Sequence, residues 1–347
     1  MYMDWKGNCM SEISRSLTKQ IDTYFSNLLE REDITEICYN GGNKLFALSA
    51  NGGWEKHDTN FSEKSAKTLA TAVSSEKEID IRAAKPILSG ILNNMERIQI
   101  VLAPATHKHV ISITIRKPSN FKISMQEYEN QKLFEVTKDK ERKKDDLLEM
   151  YQKKEYRQFI ENAVIQGKTI VVAGATGSGK TTFMKTLIDY IPHEERIISI
   201  EDVEELVFNQ HENYVQLFYP SEAKAGDFLT AAALLKSCLR MKPDRIIIAE
   251  LRGGETFDFI NVVNSGHSGS ITSCHAGSVS ETFSRLALMT LQNESGQKIP
   301  FPVIKQTLRE AIDIVIHMAY TKTGRRITEV YYKEAHEAEN IKEKEEI

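Results

Sequence analysis

Residues Gly174, Ala175, Thr176, Gly177, Ser178, Gly179, Lys180 and Thr181 fill every fixed position of the pattern G-x-x-x-x-G-K-[ST]. A glycine-rich turn of this kind aims successive backbone N–H groups, and the N-terminus of the following helix, at phosphate oxygens. A lysine at position 180 then reaches the β- and γ-phosphates, and the Thr181 hydroxyl is placed to ligate magnesium. The flanks supply the setting that this loop needs. Thr169-Ile-Val-Val-Ala173 is a β-branched apolar run that reads as a buried strand, and Phe183, Leu187 and Ile188 recur at helical spacing after it. Thr182, the next residue of that helix, is counted with the binding set. The residues imply a site for a nucleoside triphosphate, with ATP and Mg2+ as the expected ligands.

Carboxylates that could polarise a water molecule lie further along the chain. Arg245-Ile-Ile-Ile-Ala-Glu250 reads as a buried strand ending in an acid, with Ala249 where an aspartate often holds magnesium. Magnesium is therefore expected on Thr181, the phosphates and waters, with Glu250 or Glu201 acting through water. Glu250 is the candidate to activate the attacking water. Glu201 is singled out of Ser199-Ile-Glu-Asp-Val-Glu-Glu-Leu206, because acids at a strand end beside a phosphate loop would meet the metal and the nucleophile. His267 and His275 stand eight residues apart on either side of a strand, a spacing that does not fit a zinc helix. Their glycine- and hydroxyl-rich surroundings fit a loop that senses phosphate or passes a signal to a neighbouring subunit.

Composition sets the frame for this chemistry. The 347 residues suffice for two cores, and 41% hydrophobic with 27% charged residues is ordinary globular usage. A net charge of −4 carries no footprint of non-specific or direct sequence-specific nucleic-acid binding. The four cysteines, Cys9, Cys38, Cys238 and Cys274, form no C-x-x-C pair and read as reduced thiols. The N-terminal ten residues lack an apolar signal core, and no apolar run approaches a membrane span. The expectation is a cytoplasmic chain that meets any membrane from its surface.

The elements that position these residues fall into two groups. Residues 1–136 read as an α+β domain: a helix over 11–31, strands over 34–39 and 45–48, a helix over 62–75, and strands over 96–102 and 110–117. In the last two strands Ile98, Ile100, Ile111, Ile113 and Ile115 alternate with Arg97, Gln99, Ser112, Thr114 and Arg116, so Arg97 and Arg116 project from a polar face. Residues 137–153 carry a mixed-charge run and read as a linker. From 154 to 347 strands alternate with helices. Strands are expected over 169–173, 196–201, 214–218, 245–250 and 270–274, helices over 181–190, 225–241, 254–265, 279–291 and 303–311, and a closing hairpin over 313–317 and 326–332. That order predicts an α/β, RecA-like P-loop core, ligands at the strand C-terminal ends, and a fraying charged tail from His336.

Taken together, the P-loop, the acidic box Ile200–Glu205, the run Cys238–Gly254 and the histidine box Gly266–Gly277 resemble the secretion-superfamily ATPases. Glu96-Arg-Ile-Gln-Ile-Val-Leu-Ala-Pro-Ala-Thr106 and Ser112-Ile-Thr-Ile-Arg-Lys-Pro-Ser119 narrow the resemblance to the VirB-eleven traffic ATPases of type IV secretion, over residues 15–332. The loop around Asn93-Asn94-Met95 and His107-Lys-His109 departs from that pattern. The resemblance implies a hexameric ring of two tiers with ATP between the two domains of a protomer. It implies partners among the other secretion components, including inner-membrane ATPases and channel subunits, and peripheral contact with the inner membrane. The implied work is conjugative DNA or effector transfer, or pilus biogenesis. Residue by residue it implies roles for Lys180, Thr181, Glu250, Glu201, His267 and His275, nucleotide contacts from Arg97 and Arg116, and further arginines at Arg240 and Arg252. Rival readings are a type II secretion or pilus-retraction ATPase, against which the missing four-cysteine module counts for extension types, and a RecA-type nucleic-acid motor.

Overall fold

The computed structural model describes residues 12–50, 52–92, 94–118, 124–130, 132–135, 146–224 and 226–338. Most of the charged run over 136–146, Cys9, Asn93, Ser119, Ala225 and the tail beyond 338 lie outside the described residues.

The first group of elements is α1 (Glu12–Leu29), β1 (Ile34–Tyr39), β2 (Leu45–Ser49), β3 (Trp54–His57), α2 (Glu63–Glu76), β4 (Ile87–Ile91), β5 (Arg97–Val101) and β6 (Ser112–Arg116). The strands form an antiparallel sheet in the order β3-β2-β1-β6-β5-β4. Leu17, Ile21, Phe25 and Leu28 fall on one stripe of α1, and Ala66, Leu69, Ala70 and Val73 on one stripe of α2. Both stripes share a core with Ile98, Ile100, Ile113 and Ile115. Ser62 starts α2 by accepting a hydrogen bond from the Ser65 N–H at 3.2 Å. Strands β3 and β4 were not anticipated, since a four-residue strand such as Trp-Glu-Lys-His carries no apolar alternation.

The second group contains α3 (Met125–Asn130), α4 (Asp146–Gln152), α5 (Tyr156–Ile165), β7 (Ile170–Gly174), α6 (Lys180–Ile188), β8 (Ile197–Glu201), β9 (Tyr214–Phe218), α7 (Ala231–Cys238), β10 (Arg245–Ile248), α8 (Glu255–Asn264), β11 (Ile271–Cys274), α9 (Val279–Thr290), α10 (Phe301–Ala311), β12 (Ile314–Thr321) and β13 (Gly324–Tyr332). The sheet runs β13-β12-β7-β11-β10-β8-β9, parallel throughout except for the hairpin strand β13. Helices cover both faces, so its central strands are apolar on both sides, as Ile170–Ala173 and Ile246–Ile248 are. Helix α7 is shorter than the expected 225–241, because Thr230 caps it by accepting from the Ala233 N–H at 3.1 Å.

The polar face of β5 and β6 is not solvated. Gln99, Ser112 and Thr114 are buried. Gln99 donates to Ser237 Oγ at 2.9 Å, and the Phe218 N–H donates to the Ala105 carbonyl at 2.9 Å. Val101 and Ala105 join the apolar core of the second sheet. At the other end of β9, fully buried Arg196 donates to Asn40 Oδ1 at 2.9 Å, to Asn213 Oδ1 at 2.5 Å and to the Met241 carbonyl at 2.9 Å. Trp54 Nε1 donates to Asp244 Oδ2 at 2.8 Å. The antiparallel sheet thus docks along the β9 edge and covers what would be an open strand.

Glu36 sits beside this seam, and burial pushes its carboxyl up to about 7 against the pull of Arg116, Lys242 and Arg196. A folded-state value above the ordinary 4.5 means that the contribution of Glu36 to stability is fully present below about pH 4.5 and is lost as pH rises through 7. Glu36→Gln is therefore expected to flatten the fall in melting temperature between about pH 4.5 and pH 7, measured by thermal unfolding of both proteins. Parallel curves for the two would show that Glu36 does not titrate there.

Candidate functional site

Strand β7 ends at Gly174, where the backbone turns at φ +154° against the neighbouring strand. A Cβ at this position would lie 2.2 Å from the Met318 carbonyl oxygen and 2.7 Å from Ser178 Oγ. Only glycine lets the loop leave the sheet so close to β12. Gly177 turns at φ +78° with open space around it. No side chain caps α6 at Gly179, which leaves its first-turn N–H groups pointing out of the loop.

Lys180 is buried at the start of α6. Its Nζ donates to the carbonyls of Gly174 at 3.0 Å and Ala175 at 3.2 Å, and to Nδ1 of His275 at 3.3 Å. Burial pulls the ammonium below its usual value, offset by the charge of Glu250. Because lysine can only donate, Nδ1 of His275 accepts, and the ring proton belongs on Nε2. Nε2 lies 2.8 Å from Glu250 Oε1, an ion-pair distance without hydrogen-bond alignment. The other oxygen, Glu250 Oε2, takes the Arg252 guanidinium at 3.0 Å from Nε and 2.9 Å from Nη2. Arg252 Nη1 in turn meets Asp202 Oδ2. Lys180, His275, Glu250, Arg252 and Asp202 therefore form one continuous chain of charge along the C-terminal ends of β7, β11, β10 and β8.

The structure does not bring every expected residue to this chain. Glu201 is fully buried, and both of its oxygens are committed: Oε1 accepts from Ser199 Oγ at 2.7 Å and Gln216 Nε2 at 3.1 Å, and Oε2 from the Glu205 and Leu206 N–H groups at 2.9 Å. It anchors the acidic loop, and its neighbour Asp202 is the acid that reaches the cluster. His267 precedes β11 whereas His275 follows it, so a strand length separates them, about 13 Å or more. Burial and the charge of Lys242 lower the pKa of His267 at that far edge. Arg240 is exposed in the turn between α7 and β10, also at the N-terminal edge of the sheet.

Arg97 and Arg116 are register partners, and both are exposed at the far end of their hairpin. Arg116 Nε pairs with Glu36 at 3.4 Å, an acidic partner on the next strand that alternation within one hairpin does not reveal. The P-loop strand β7 lies four strand spacings from the docked edge β9, about 19 Å. Within one protomer these arginines and the P-loop are therefore apart.

Two contributors had no advance notice. Arg325 of β13 donates through Nε to the Gly177 carbonyl at 3.4 Å. His317 interrupts the apolar run of β12, and its Nε2 holds the Ala276 carbonyl at 3.2 Å beside His275. A buried polar residue inside Ile314-Val-Ile-His-Met318 was the available signal for the second.

Groups of three or more His, Cys, Asp or Glu side chains able to cage a metal are absent among the described residues. Thr181 at the first turn of α6 and the unaligned oxygen of Glu250 are hard oxygen donors that fit magnesium carried mainly by phosphates and water. No helix among the described residues is long and apolar enough to cross a membrane.

Comparison with known proteins agrees with this geometry. The family described as type II/IV secretion system protein matches residues 135–340. The chain is 46% identical over 314 residues to the type IV secretion system protein VirB11 of Brucella abortus biovar 1 (strain 9-941), covering 88% of this chain and 86% of that protein. It is 38% identical over 314 residues to the type IV secretion system protein PtlH of Bordetella pertussis (strain Tohama I), covering 88% and 92%. A crystal structure of the VirB11 ATPase from the Brucella suis type IV secretion system, in complex with sulphate, superimposes with a TM-score of 0.87 at 43% identity, covering 93% of this chain and 96% of that one.

The close approach at Gly174 is testable. Gly174→Ala drives a methyl into a backbone carbonyl that cannot rotate away, whereas Gly177→Ala meets nothing and costs only its left-handed backbone, about 1–2 kcal/mol. Thermal unfolding should show a far larger loss for the first. Equal losses would mean that β12 yields at Met318.

Proposed function

The chain belongs to the VirB11 family of type IV secretion ATPases and hydrolyses ATP, and from that premise we propose that it works as a ring of six in which each P-loop is completed by a neighbouring subunit. The observation that carries the catalytic reading is the chain from Lys180 through His275 to Glu250, which joins the phosphate-binding amine to the candidate water-activating acid. The ring reading is supported by the separation of Arg97, Arg116 and Arg240 from their own P-loop. Those arginines serve a nucleotide only if a neighbouring protomer brings it to them. The proposed setting is the cytoplasmic face of the inner membrane, beside the other secretion ATPases and channel subunits.

Hydrolysis in this site follows from the charges present. Gly174 to Thr182 cradle the triphosphate through backbone N–H groups, and Lys180 turns from the Gly174 and Ala175 carbonyls to the β- and γ-phosphates. Thr181, and Glu250 through water, would hold magnesium, which would supply charge neutralisation to the triphosphate. Glu250 orients a water for in-line attack: its oxygen bonds to the γ-phosphorus as the bridging β–γ bond breaks, and its proton passes to the carboxylate. Arg252 and His275 fix the direction of that carboxylate, and Asp202 fixes Arg252. Glu201 and His267 act from outside the reacting atoms, Glu201 by holding the acidic loop and His267 at the opposite edge.

Steady-state phosphate release tests these assignments. Lys180→Ala is expected to lose hydrolysis and most ATP affinity. Glu250→Gln is expected to bind ATP and turn over about 10²- to 10⁴-fold more slowly. Turnover of either variant within twofold of the parent overturns the corresponding role. Sedimentation in the presence of ATP reports the ring, for which a monomer at all concentrations is the contrary result.

A further inference from the structure

The hairpin of β12 and β13 reaches past the sheet beside the phosphate loop. Strand β12 pairs with β7 up to Met318 opposite Gly174, and then continues to Thr321 after β7 has turned into the loop. Ile314, Ile316 and Met318 face the core on the α6 side of the sheet. Alternation puts Tyr320 next on that face, where its side chain is 74% exposed. Arg325 stands opposite Tyr320 in the hairpin register. Its Nε donates to the Gly177 carbonyl, and its Cδ lies 2.8 Å from where a Gly179 Cβ would be. An uncovered aromatic ring is thus held beside a guanidinium that lies on the phosphate loop.

From this juxtaposition we propose that Tyr320 and Arg325 form the nucleoside end of the ATP site. The Tyr320 ring offers its face to the purine, and Arg325 donates from the Gly177 side to the phosphate chain. The proposal rests on the P-loop reading given above and adds to it the part of the ligand that a P-loop does not touch. Aromatic stacking on a base suits this ring because it needs one free face and no buried polar partner. The guanidinium suits a phosphate oxygen because it is planar and can fork across two acceptors. Glycine at 179 leaves room for Arg325, whose Cδ and Nε would lie 2.8 Å and 3.1 Å from a Cβ there.

Calorimetric titration of the full chain with ATP and with inorganic triphosphate separates the two ends of the ligand, using a Glu250→Gln background to suppress turnover. Tyr320→Ala is expected to weaken ATP about 5- to 100-fold while leaving triphosphate unchanged, the range that one stacked base is worth. Tyr320→Phe keeps the ring and should bind ATP as the parent does. Arg325→Ala should weaken both ligands. The assignment fails if Tyr320→Ala holds ATP within twofold of the parent, if it loses both ligands equally, or if phenylalanine does not rescue. A Lys180→Ala control that still binds both ligands would instead show that the P-loop reading itself is at fault.

Discussion

A buried ammonium is the constraint around which the catalytic half of this protein is arranged. Lys180 lies under the loop that carries it and must be satisfied from within, by two carbonyls of that loop and by the imidazole of His275. Only a loop that folds back over its own helix start can offer those carbonyls, and only a parallel sheet brings the ends of β7, β11, β10 and β8 to one edge. The rest of the charge follows in sequence. His275 accepts from the lysine and therefore presents its remaining N–H to Glu250, which takes Arg252, which takes Asp202. Each group in the series fixes the orientation of the next, so the carboxylate is aimed before any substrate reaches it.

A second buried cation decides how the two halves meet. Arg196 is fully buried, and its Nε and Nη1 donors are taken by Asn40 from the antiparallel sheet and by Asn213 and Met241 from its own half. Leaving such a group unpaired would cost far more than any surface contact, so separating the halves exposes or orphans it. The docking along β9 is consequently specific in register, and Gln99 with Ser237 and Ala105 with Phe218 fall into place along the same edge. The consequence is positional: the exposed ends of β5 and β6, with Arg97 and Arg116, lie away from the protomer's own P-loop.

The fold class and the P-loop were legible in the sequence because both depend on short-range pattern. Buried parallel strands such as Ile170–Ala173 are continuous β-branched runs, and the loop glycines are demanded by backbone geometry at fixed offsets. What the sequence hid is long-range. Alternation correctly opposed Arg97 to Ile98, but it could not say whether the polar face meets water or another sheet, and Gln99 turned out to be buried against Ser237. Choosing Glu201 over Asp202 had the same origin. The last residue of a strand covered on both faces points into packing, and the first loop residue is the one free to reach across to Arg252. Cross-strand partners such as Glu36 and Arg116, from β1 and β6, are separated by 80 positions and leave no local trace.

The terminal hairpin shows how such long-range contacts tie separate loops into one device. On one face of β12, His317 holds the Ala276 carbonyl and is itself held through Nδ1 by Thr328 Oγ1 at 2.6 Å. Glu329 accepts from the Val279 N–H at 2.9 Å, just where α9 begins. On the other face, Arg325 reaches the Gly177 carbonyl. The loop bearing His275 and the loop bearing Lys180 are thus fastened to the same two strands, by contacts on opposite sides of the sheet. The hairpin pairs eight residues of β12, four on each side of a register shift between His317 and Met318, so both contacts are carried by one paired unit. Movement at the phosphate loop must therefore either carry the histidine loop with it or break a buried imidazole contact. For that reason the distance between Lys180 and His275 is a property of the hairpin as much as of either loop.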